Sequence, residues 1–234
     1  MSDNRSLVSN IDTANYNSLV AYINACYCKK WGYDFKYYQP YLKDLTNPEL
    51  YNCLDPNNGG VRHASWSKLL AATRAMENKQ YSHIVYIDSD CIFKEFNKPL
   101  TYLLNQTRHD ISFLDNSPWG SDKPCAGFFI LKNTEYTRKV LDMWYAVSIP
   151  SKNAQHAWEQ DGLWKIRDTL SYDLLNSEGW FFEAPQQYLR HVGSHQNAQR
   201  IPYFRKYVNS LLPIYGEYST VIKSIEVDLF STVT

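Results

Sequence analysis

The chemistry of this sequence is concentrated in one acidic segment, Asp88-Ser89-Asp90, which directly follows the apolar run 83–87. Side chains alternate along an extended backbone, so two carboxylates one residue apart point to the same side. Like charges this close repel unless a cation lies between them. Carboxylate oxygens in an incomplete shell suit Mg²⁺ or Mn²⁺, with water and diphosphate oxygens completing the coordination. The segment therefore predicts a divalent metal site, and the alternative is a solvated turn.

The metal site needs a rigid base, and the hydrophobic pattern predicts one. The run 83–87 is β-branched, apolar on both faces and too short for a helix, which is typical of a central strand covered on both sides. Other strands are predicted at 6–11, 34–38, 111–114, 126–131 and 179–183. Helices are predicted at 15–31, 64–78, 134–147 and 156–170, and a long loop at 46–60.

This alternation predicts an α/β fold with a mainly parallel central sheet and helices on both faces. Ligands of such sheets bind outside the carboxyl ends of the strands, where Asp88 and Asp90 would lie. No repeat, low-complexity tract or Gly/Ser linker divides the sequence, so we expect one domain over residues 1–200. Residues 201–234 are expected to form an extension that packs on the same domain, and contact with a partner is the alternative.

The overall composition argues against several classes of protein. Lysine plus arginine balance aspartate plus glutamate at 24 each, and nucleic-acid binders usually carry a basic excess. Aromatic residues make up 15% of the chain, which is too many for a disordered protein and suits a site for ring-shaped ligands. The alternative is that most of these aromatics fill the core and surface.

Cysteine usage and the amino-terminal sequence bear on the compartment. The five cysteines are odd in number, and the one close pair, Cys26 and Cys28, fits neither a zinc nor a redox motif. Reduced thiols in a cytoplasmic protein are the simpler interpretation. The polar start and the lack of a long apolar run predict neither a signal peptide nor a membrane span. We therefore expect a soluble cytoplasmic protein.

Six short blocks resemble GT-A glycosyltransferases, in particular the family of yeast α-galactosyl- and mannosyltransferases and plant xyloglucan xylosyltransferases. Trp31 stands where that family commonly has His, and the membrane anchor of its Golgi members is not found here. The blocks follow one another in the order expected: 30–35 (KWGYDF), 64–68 (ASWSK), 83–93 (HIVYIDSDCIF), 126–131 (AGFFIL), 159–163 (EQDGL) and 188–193 (YLRHVG).

The resemblance implies transfer of a sugar from a nucleoside-diphosphate sugar, with uridine the commoner base in the family. A glycan, a glycoprotein or another hydroxyl compound would be the acceptor. Mn²⁺ or Mg²⁺ would stabilise the leaving diphosphate. The missing anchor implies a soluble member, such as those of some bacteria and large DNA viruses.

The resemblance also implies a metal ligand set of Asp88, Asp90 and His191. A neutral imidazole at His191 would complete the shell opposite the carboxylates, with His195 as its substitute. The alternative for His191 is a loop histidine hydrogen-bonded to backbone.

Eight residues are candidates for contact with the nucleotide sugar. By the same resemblance Lys68 would face the phosphates and meet them as a point charge, and the alternative is a solvated helix lysine. Gly127 would leave room for the sugar, or would mark a bulge, and Gly193 would let the backbone approach phosphate. Arg190 and Arg200 are weaker candidates for phosphate. The candidate set is Ser9, Asn10, Ile11, Asp12, Lys68, Ser89, Gly127 and Gly193.

The acidic cluster at 159–161 supplies the candidate catalytic residues, Asp161 and Gln160. In an inverting reaction Asp161 would take the proton of the acceptor hydroxyl, and in a retaining one it would position the donor sugar. The alternative is that this negative charge favours the start of a helix. Aromatic side chains could stack on acceptor sugars, and the candidates are Trp119, Trp158 and Trp180.

Two other classes of protein remain open from sequence. Phosphohydrolases of the haloacid-dehalogenase type also use Asp-x-Asp after a strand, but near the amino terminus and followed by Thr or Val. A non-catalytic carbohydrate-binding module would account for the aromatic content, although such modules are usually all-β and helices are predicted here.

Overall fold

The computed structural model describes residues 1–3, 5–41, 53–60, 62–115, 123–148, 158–175, 188–192 and 197–231. The helices are α1 (Tyr16–Trp31), α2 (Ser67–Met76), α3 (Thr101–Leu104), α4 (Glu135–Tyr145), α5 (Glu159–Ile166), α6 (Asn197–Tyr215) and α7 (Tyr218–Ser224). Short 3-10 helices cover Ala64–Trp66 and Arg167–Thr169. The strands are β1 (Lys36–Tyr41), β2 (His83–Ile87), β3 (Cys91–Phe93), β4 (Ile111–Asp115), β5 (Pro124–Lys132), β6 (Asp173–Leu175), β7 (Leu189–His191) and β8 (Glu226–Ser231).

The expected α/β architecture is confirmed, with a central sheet in the order β2-β5-β4-β6 and helices packed around it. Two smaller sheets accompany it, β1 with β8 in parallel and β3 with β7 antiparallel. The predicted strand 179–183 lies outside the described residues, as do residues 46–52 of the predicted loop and the start of the predicted helix 156–170.

The direction of the strands corrects the prediction of a mainly parallel sheet. β5 runs antiparallel to both β2 and β4, and the pairing of β4 with β6 is parallel, so the sheet is mixed. The connection explains part of this: β4 ends at Asp115 and β5 begins at Pro124, whereas a parallel crossover needs about a dozen residues or more. Among the described strands β2 lies at the edge of this sheet, which corrects its predicted central position.

The predicted first strand at 6–11 is not a strand in the structure. Within this segment the N–H of Val8 donates to a side chain, Ser18 Oγ, at 2.9 Å, and directly after it the N–H of Asp12 donates to Asn10 Oδ1 at 2.9 Å. Short polar side chains compete with a sheet ladder in this way. Strand pairing begins earlier, where Ser2 forms a parallel bridge with Tyr38.

Helix α1 has more buried residues than any other helix of the part that the structure describes, and it supports the region after β2. Asn15 caps its start by accepting from the N–H of Ser18, and Gly32 ends it at φ 71°, a left-handed conformation that favours glycine. The predicted stripe of Leu19, Val20, Ile23 and Tyr27 is fully buried. The opposite side of the helix is also covered, because α6 and α7 pack on it.

A second hydrophobic cluster fills the space between the sheet and helices α2, α4 and α5. Its large members are aromatic, and most of their ring contacts are edge-on or tilted at about 6 Å, as between Phe129 and Trp144 at 5.8 Å. The other hydrophobic cluster lies between the sheet and α1, whereas this one lies between the sheet and α2 and α4. Helices therefore cover both faces of the sheet.

The carboxyl-terminal segment is part of the same packed body. Helix α6 passes through residue 200, where a boundary was predicted, and packs on α1. Strand β8 then pairs with β1 along its whole length, from Lys36 opposite Glu226 to Tyr41 opposite Ser231. In the residues that the structure describes, no helix combines the length and apolar character needed to cross a membrane.

Candidate functional site

The Asp-Ser-Asp segment forms a fixed turn between β2 and β3. The N–H of Asp88 donates to Gly127 O on β5 at 2.9 Å, and the N–H of Cys91 donates to Asp88 O at 3.1 Å. The fully buried Asn24 on α1 donates to Cys91 O at 2.9 Å and accepts from the N–H of Phe93 at 3.1 Å. Sheet and helix together therefore hold the backbone on both sides of the turn.

Strand β7 brings His191 to the two aspartates. The β3–β7 register sets Cys91 opposite His191, and the N–H of Val192 donates to Asp90 O at 2.9 Å. His191 Nε2 is then 2.9 Å from Asp90 Oδ1. One ligand atom each of Asp88, Asp90 and His191 lies within 4.8 Å of the others, so the three predicted metal ligands come together.

Lys68 is buried beside this cluster, with 3% of its surface exposed. Its Nζ lies 2.8 Å from Asp88 Oδ1 and 2.6 Å from Glu159 Oε1, and it donates to Ala126 O at 3.0 Å. The lysine thus joins α2, β5 and the start of α5 to the acidic turn. In the structure its partners are carboxylates and a carbonyl, which differs from the solvated alternative weighed from sequence.

Arg200 approaches the cluster from α6. Its guanidinium donates to Asp90 Oδ2 and, through Nε, to Val192 O at 2.7 Å. The same guanidinium lies 4.6 Å from the centre of the Tyr16 ring at the start of α1. Sequence reasoning ranked Arg200 low, and nothing in its local pattern indicated a contact with Asp90.

The surroundings of Asp88 and Asp90 shift the pKa values of the two carboxyl groups in opposite directions. Burial raises the pKa of Asp88 to about 6; Lys68 opposes this rise, and the negative charges of Asp90 and Glu159 add to it. Burial also disfavours the ionised form of Asp90, but His191 and Arg200 outweigh it and hold its pKa below the usual range. Asp88 is therefore the carboxylate that gains most from a further positive charge.

His191 and Lys68 respond to the same charges. Burial alone would lower the pKa of His191, yet the neighbouring Asp90 raises it above its ordinary value. Burial opposes the charged form of Lys68 as well, and Asp88 and Glu159 overcome that opposition. The carboxylates of Asp88, Asp90 and Glu159 thus lie among the side chains of Lys68, Arg200 and His191, whose positive or polar groups offset part of the cost of burying them.

The donor set fits a hard or borderline divalent cation. Two carboxylates and one imidazole, close together in an incomplete shell, suit Mn²⁺ or Mg²⁺ better than a soft metal. Coordination by His191 needs an unprotonated ring nitrogen, so metal binding would compete with protonation of this imidazole.

The three residues of the acidic cluster at the start of α5 have different partners. Gln160 Oε1 accepts from the N–H of Ala126 on β5 at 3.0 Å, and the neighbouring Glu159 pairs with Lys68. Asp161 lies 3.2 Å from Lys165 Nζ on its own helix. Sequence reasoning chose Asp161 and Gln160 from this cluster and missed Glu159, although the acidic pattern contained it.

The predicted nucleotide segment precedes α1 and contacts α6. Arg205 Nη2 donates to Ile11 O and to Asp12 O, both at 3.3 Å. Ser9 is half-buried and Asn10 exposed, and Ser89 is half-buried in the metal-site turn. Gly127 is buried on β5 beside Asp88. The remaining predicted residues lie outside the described part: Gly193, His195, Trp119 and Trp180.

The mixed sheet between helices, with an Asp-x-Asp turn directly after a strand, agrees with the GT-A-type fold expected from the sequence. The fold is similar to that in the crystal structure of a glycosyltransferase involved in the glycosylation of the major capsid of PBCV-1. The TM-score is 0.60 at 13% identity, and the match covers 82% of this chain and 92% of that chain. At this level of sequence identity, the structural likeness shows the fold alone. No protein-family model matches the sequence, and no curated protein matches it either.

Proposed function

We propose that this protein is a metal-dependent glycosyltransferase that moves a sugar from a UDP-sugar to a hydroxyl group of a glycan or glycoprotein. The observation that carries the proposal is the cluster of Asp88, Asp90 and His191, whose ligand atoms lie within 4.8 Å of one another in a GT-A-type fold. Neither part suffices alone, because Asp-x-Asp is common by chance and one fold hosts many activities.

The metal cluster would act on the leaving group. A divalent cation held by Asp88, Asp90 and His191 would neutralise the charge that develops on the departing diphosphate. Lys68 pairs with Asp88 and Arg200 pairs with Asp90, so each carboxylate has its own cationic partner. A preorganised site of this kind loses little energy to rearrangement during the reaction.

The roles of the remaining residues follow from their positions around this centre. Gln160 orients the β5 backbone at Ala126, next to Gly127, beside which we propose that the donor sugar lies. Asp161 is our candidate for the base in an inverting reaction and for a donor-sugar contact in a retaining one. Trp158, which is 53% exposed, offers a flat apolar face to an acceptor sugar.

The proposal is tested with a panel of UDP- and GDP-sugars, scoring release of the nucleoside diphosphate with Mn²⁺, with Mg²⁺ and with a chelator. We expect turnover of a UDP-sugar that needs the metal. Asp90→Ala removes a ligand and should lower kcat/KM by roughly 100-fold or more.

Asp142→Ala is the matched control, since Asp142 is exposed on α4 and should leave turnover unchanged. Circular dichroism of both variants verifies that the fold survives. Turnover that persists in Asp90→Ala, or that ignores the chelator, would contradict the proposal. Release of phosphate from a simple aryl phosphate would favour a phosphohydrolase instead.

A further inference from the structure

Helix α5 carries a buried glycine, Gly162, in the middle of its short length. Glycine inside a helix is destabilising relative to alanine, so it usually marks a place where a side chain does not fit. A Cβ added at Gly162 would lie 2.6 Å from Trp66 Cη2 and 3.5 Å from Trp144 Cδ1. Ordinary contacts begin at about 3.4 Å, so even a methyl group would force α5 and Trp66 apart by about 0.8 Å.

The indole of Trp66 is held in place and has no room to give way. It is 0% exposed, and its ring lies 4.1 Å from the guanidinium carbon of Arg62 and 6.3 Å from the Tyr145 ring. Arg62 is fixed in turn, since it is 1% exposed and pairs with Asp55 at 3.1 Å. Because such an interior is close-packed, an added side chain would displace the helix rather than the indole.

The first turn of α5 makes short contacts with the region of the metal cluster. Glu159 Oε1 lies 2.6 Å from Lys68 Nζ, and Gln160 Oε1 accepts from the N–H of Ala126 at 3.0 Å. Trp144 Nε1 donates to Glu159 O at 2.7 Å. Contacts of this length weaken steeply when stretched, so a movement of about 0.8 Å would strain or break them.

We propose that Gly162 is a positioning residue, whose missing side chain lets the first turn of α5 reach the metal cluster and β5. Through Lys68 this turn acts on the metal ligand Asp88. Through Gln160 it acts on the β5 backbone, beside which the donor sugar of the proposed reaction would lie. The inference rests on the proposed glycosyl transfer and adds to it a residue that touches no substrate.

Gly162→Ala tests the role directly. Helix propensity alone predicts a neutral or stabilising change, whereas the contact with Trp66 predicts a displaced helix. We expect kcat for the UDP-sugar to fall by roughly 10- to 100-fold, since a misplacement of about 1 Å can cost as much. Calorimetric titration with Mn²⁺ and UDP counts the folded sites, so that the loss is expressed per competent site.

Gly60→Ala is the matched control. A Cβ at Gly60 would meet the outer end of the exposed Asn58 side chain, which can turn aside. This variant should turn over as fast as wild type.

A second substitution separates positioning from a general loss of stability. Adding Trp66→Phe to Gly162→Ala removes the outer part of the indole, and we expect kcat to rise again by about tenfold over Gly162→Ala. A merely structural role predicts the opposite, because the smaller ring leaves a cavity that destabilises the fold further. Losses that simply add in the double variant would overturn the proposal.

Hydrogen exchange at the amide of Ala126 reports the position of α5 without any need for activity, because this N–H donates to Gln160. Exchange should be faster in Gly162→Ala and slow again in the double variant. A wild-type protein without turnover would refute the proposed function, and the Ala126 amide would then decide the positioning role. Turnover and Ala126 exchange that are both unchanged in Gly162→Ala would overturn the inference while the proposed function stands.

Discussion

Lys68 is the residue on which the charge balance of the site depends. Its ammonium lies within 3 Å of both Asp88 and Glu159, and the side chains of Lys68 and Glu159 are almost fully buried. Breaking a buried ion pair by removing one partner leaves an uncompensated charge, which costs far more than the pair itself contributes. Lys68 is therefore expected to stabilise the fold even when no ligand is bound.

Replacing this lysine by an uncharged side chain of similar shape measures what its charge contributes to stability. We expect Lys68→Met to lower the free energy of unfolding by about 3–5 kcal/mol, because Asp88 and Glu159 would be left without their shared cation. Urea denaturation followed by circular dichroism measures the loss.

Two companion variants sharpen the measurement. Adding Glu159→Gln to Lys68→Met should recover part of the loss, since one buried negative charge disappears. Lys139→Met, at an exposed position of α4, should leave the urea midpoint unchanged. A Lys68→Met protein as stable as the Lys139→Met control would rule out this account of the cluster.

The short strand β6 shows how a side chain holds an element at the edge of the sheet. Asp173 Oδ2 accepts from the N–H groups of Arg108 and His109 at 2.7 and 2.8 Å, and Asp173 Oδ1 lies 2.9 Å from His109 Nδ1. Burial opposes ionisation of Asp173, but these donors prevail and hold its pKa below the usual range. The carboxylate thus ties β6 to the turn before β4.

This lowered pKa has a defined consequence for stability against pH. A carboxyl group whose pKa is lower in the folded state stabilises the fold above its unfolded pKa, near 4, and loses that effect as pH falls through the folded pKa. At pH 7 we expect Asp173→Asn to lower the free energy of unfolding by about 1–2 kcal/mol. The variant would therefore unfold at a lower urea concentration than wild type. The difference should shrink below about pH 4.

Asp168→Asn is the control, because Asp168 is 91% exposed in the same region. It should match wild type at both pH values. A difference between Asp173→Asn and wild type that stays constant down to pH 3 would argue against the carboxylate as the cause.

At the scale of the whole molecule, local patterns predicted the elements better than their arrangement. The Asp88–Asp90 turn and most helices follow from periodicity, which is a short-range signal. The contacts of Lys68 with Glu159 and of Arg200 with Asp90 join distant parts of the chain, and a single sequence carries no local trace of them. Strand direction was partly accessible, since the short connection from β4 to β5 forbids a parallel crossover.

The first predicted strand failed for a different reason. Its apolar residues Leu7 and Val8 resemble a strand, but Ser18 takes up the backbone donor of Val8, which a ladder would need. This side-chain hydrogen bond depends on the position of the helix that follows, and hydrophobic periodicity contains no information about that position.

We propose above all that Asp88, Asp90 and His191 hold a divalent cation in contact with a nucleoside diphosphate. Crystals grown with MnCl₂ and UDP and measured at the manganese absorption edge test it directly. We expect an anomalous peak within about 2.5 Å of a ligand atom of each residue, with diphosphate oxygens completing the shell. A manganese peak elsewhere, or UDP bound away from Asp88 and Asp90, would contradict it.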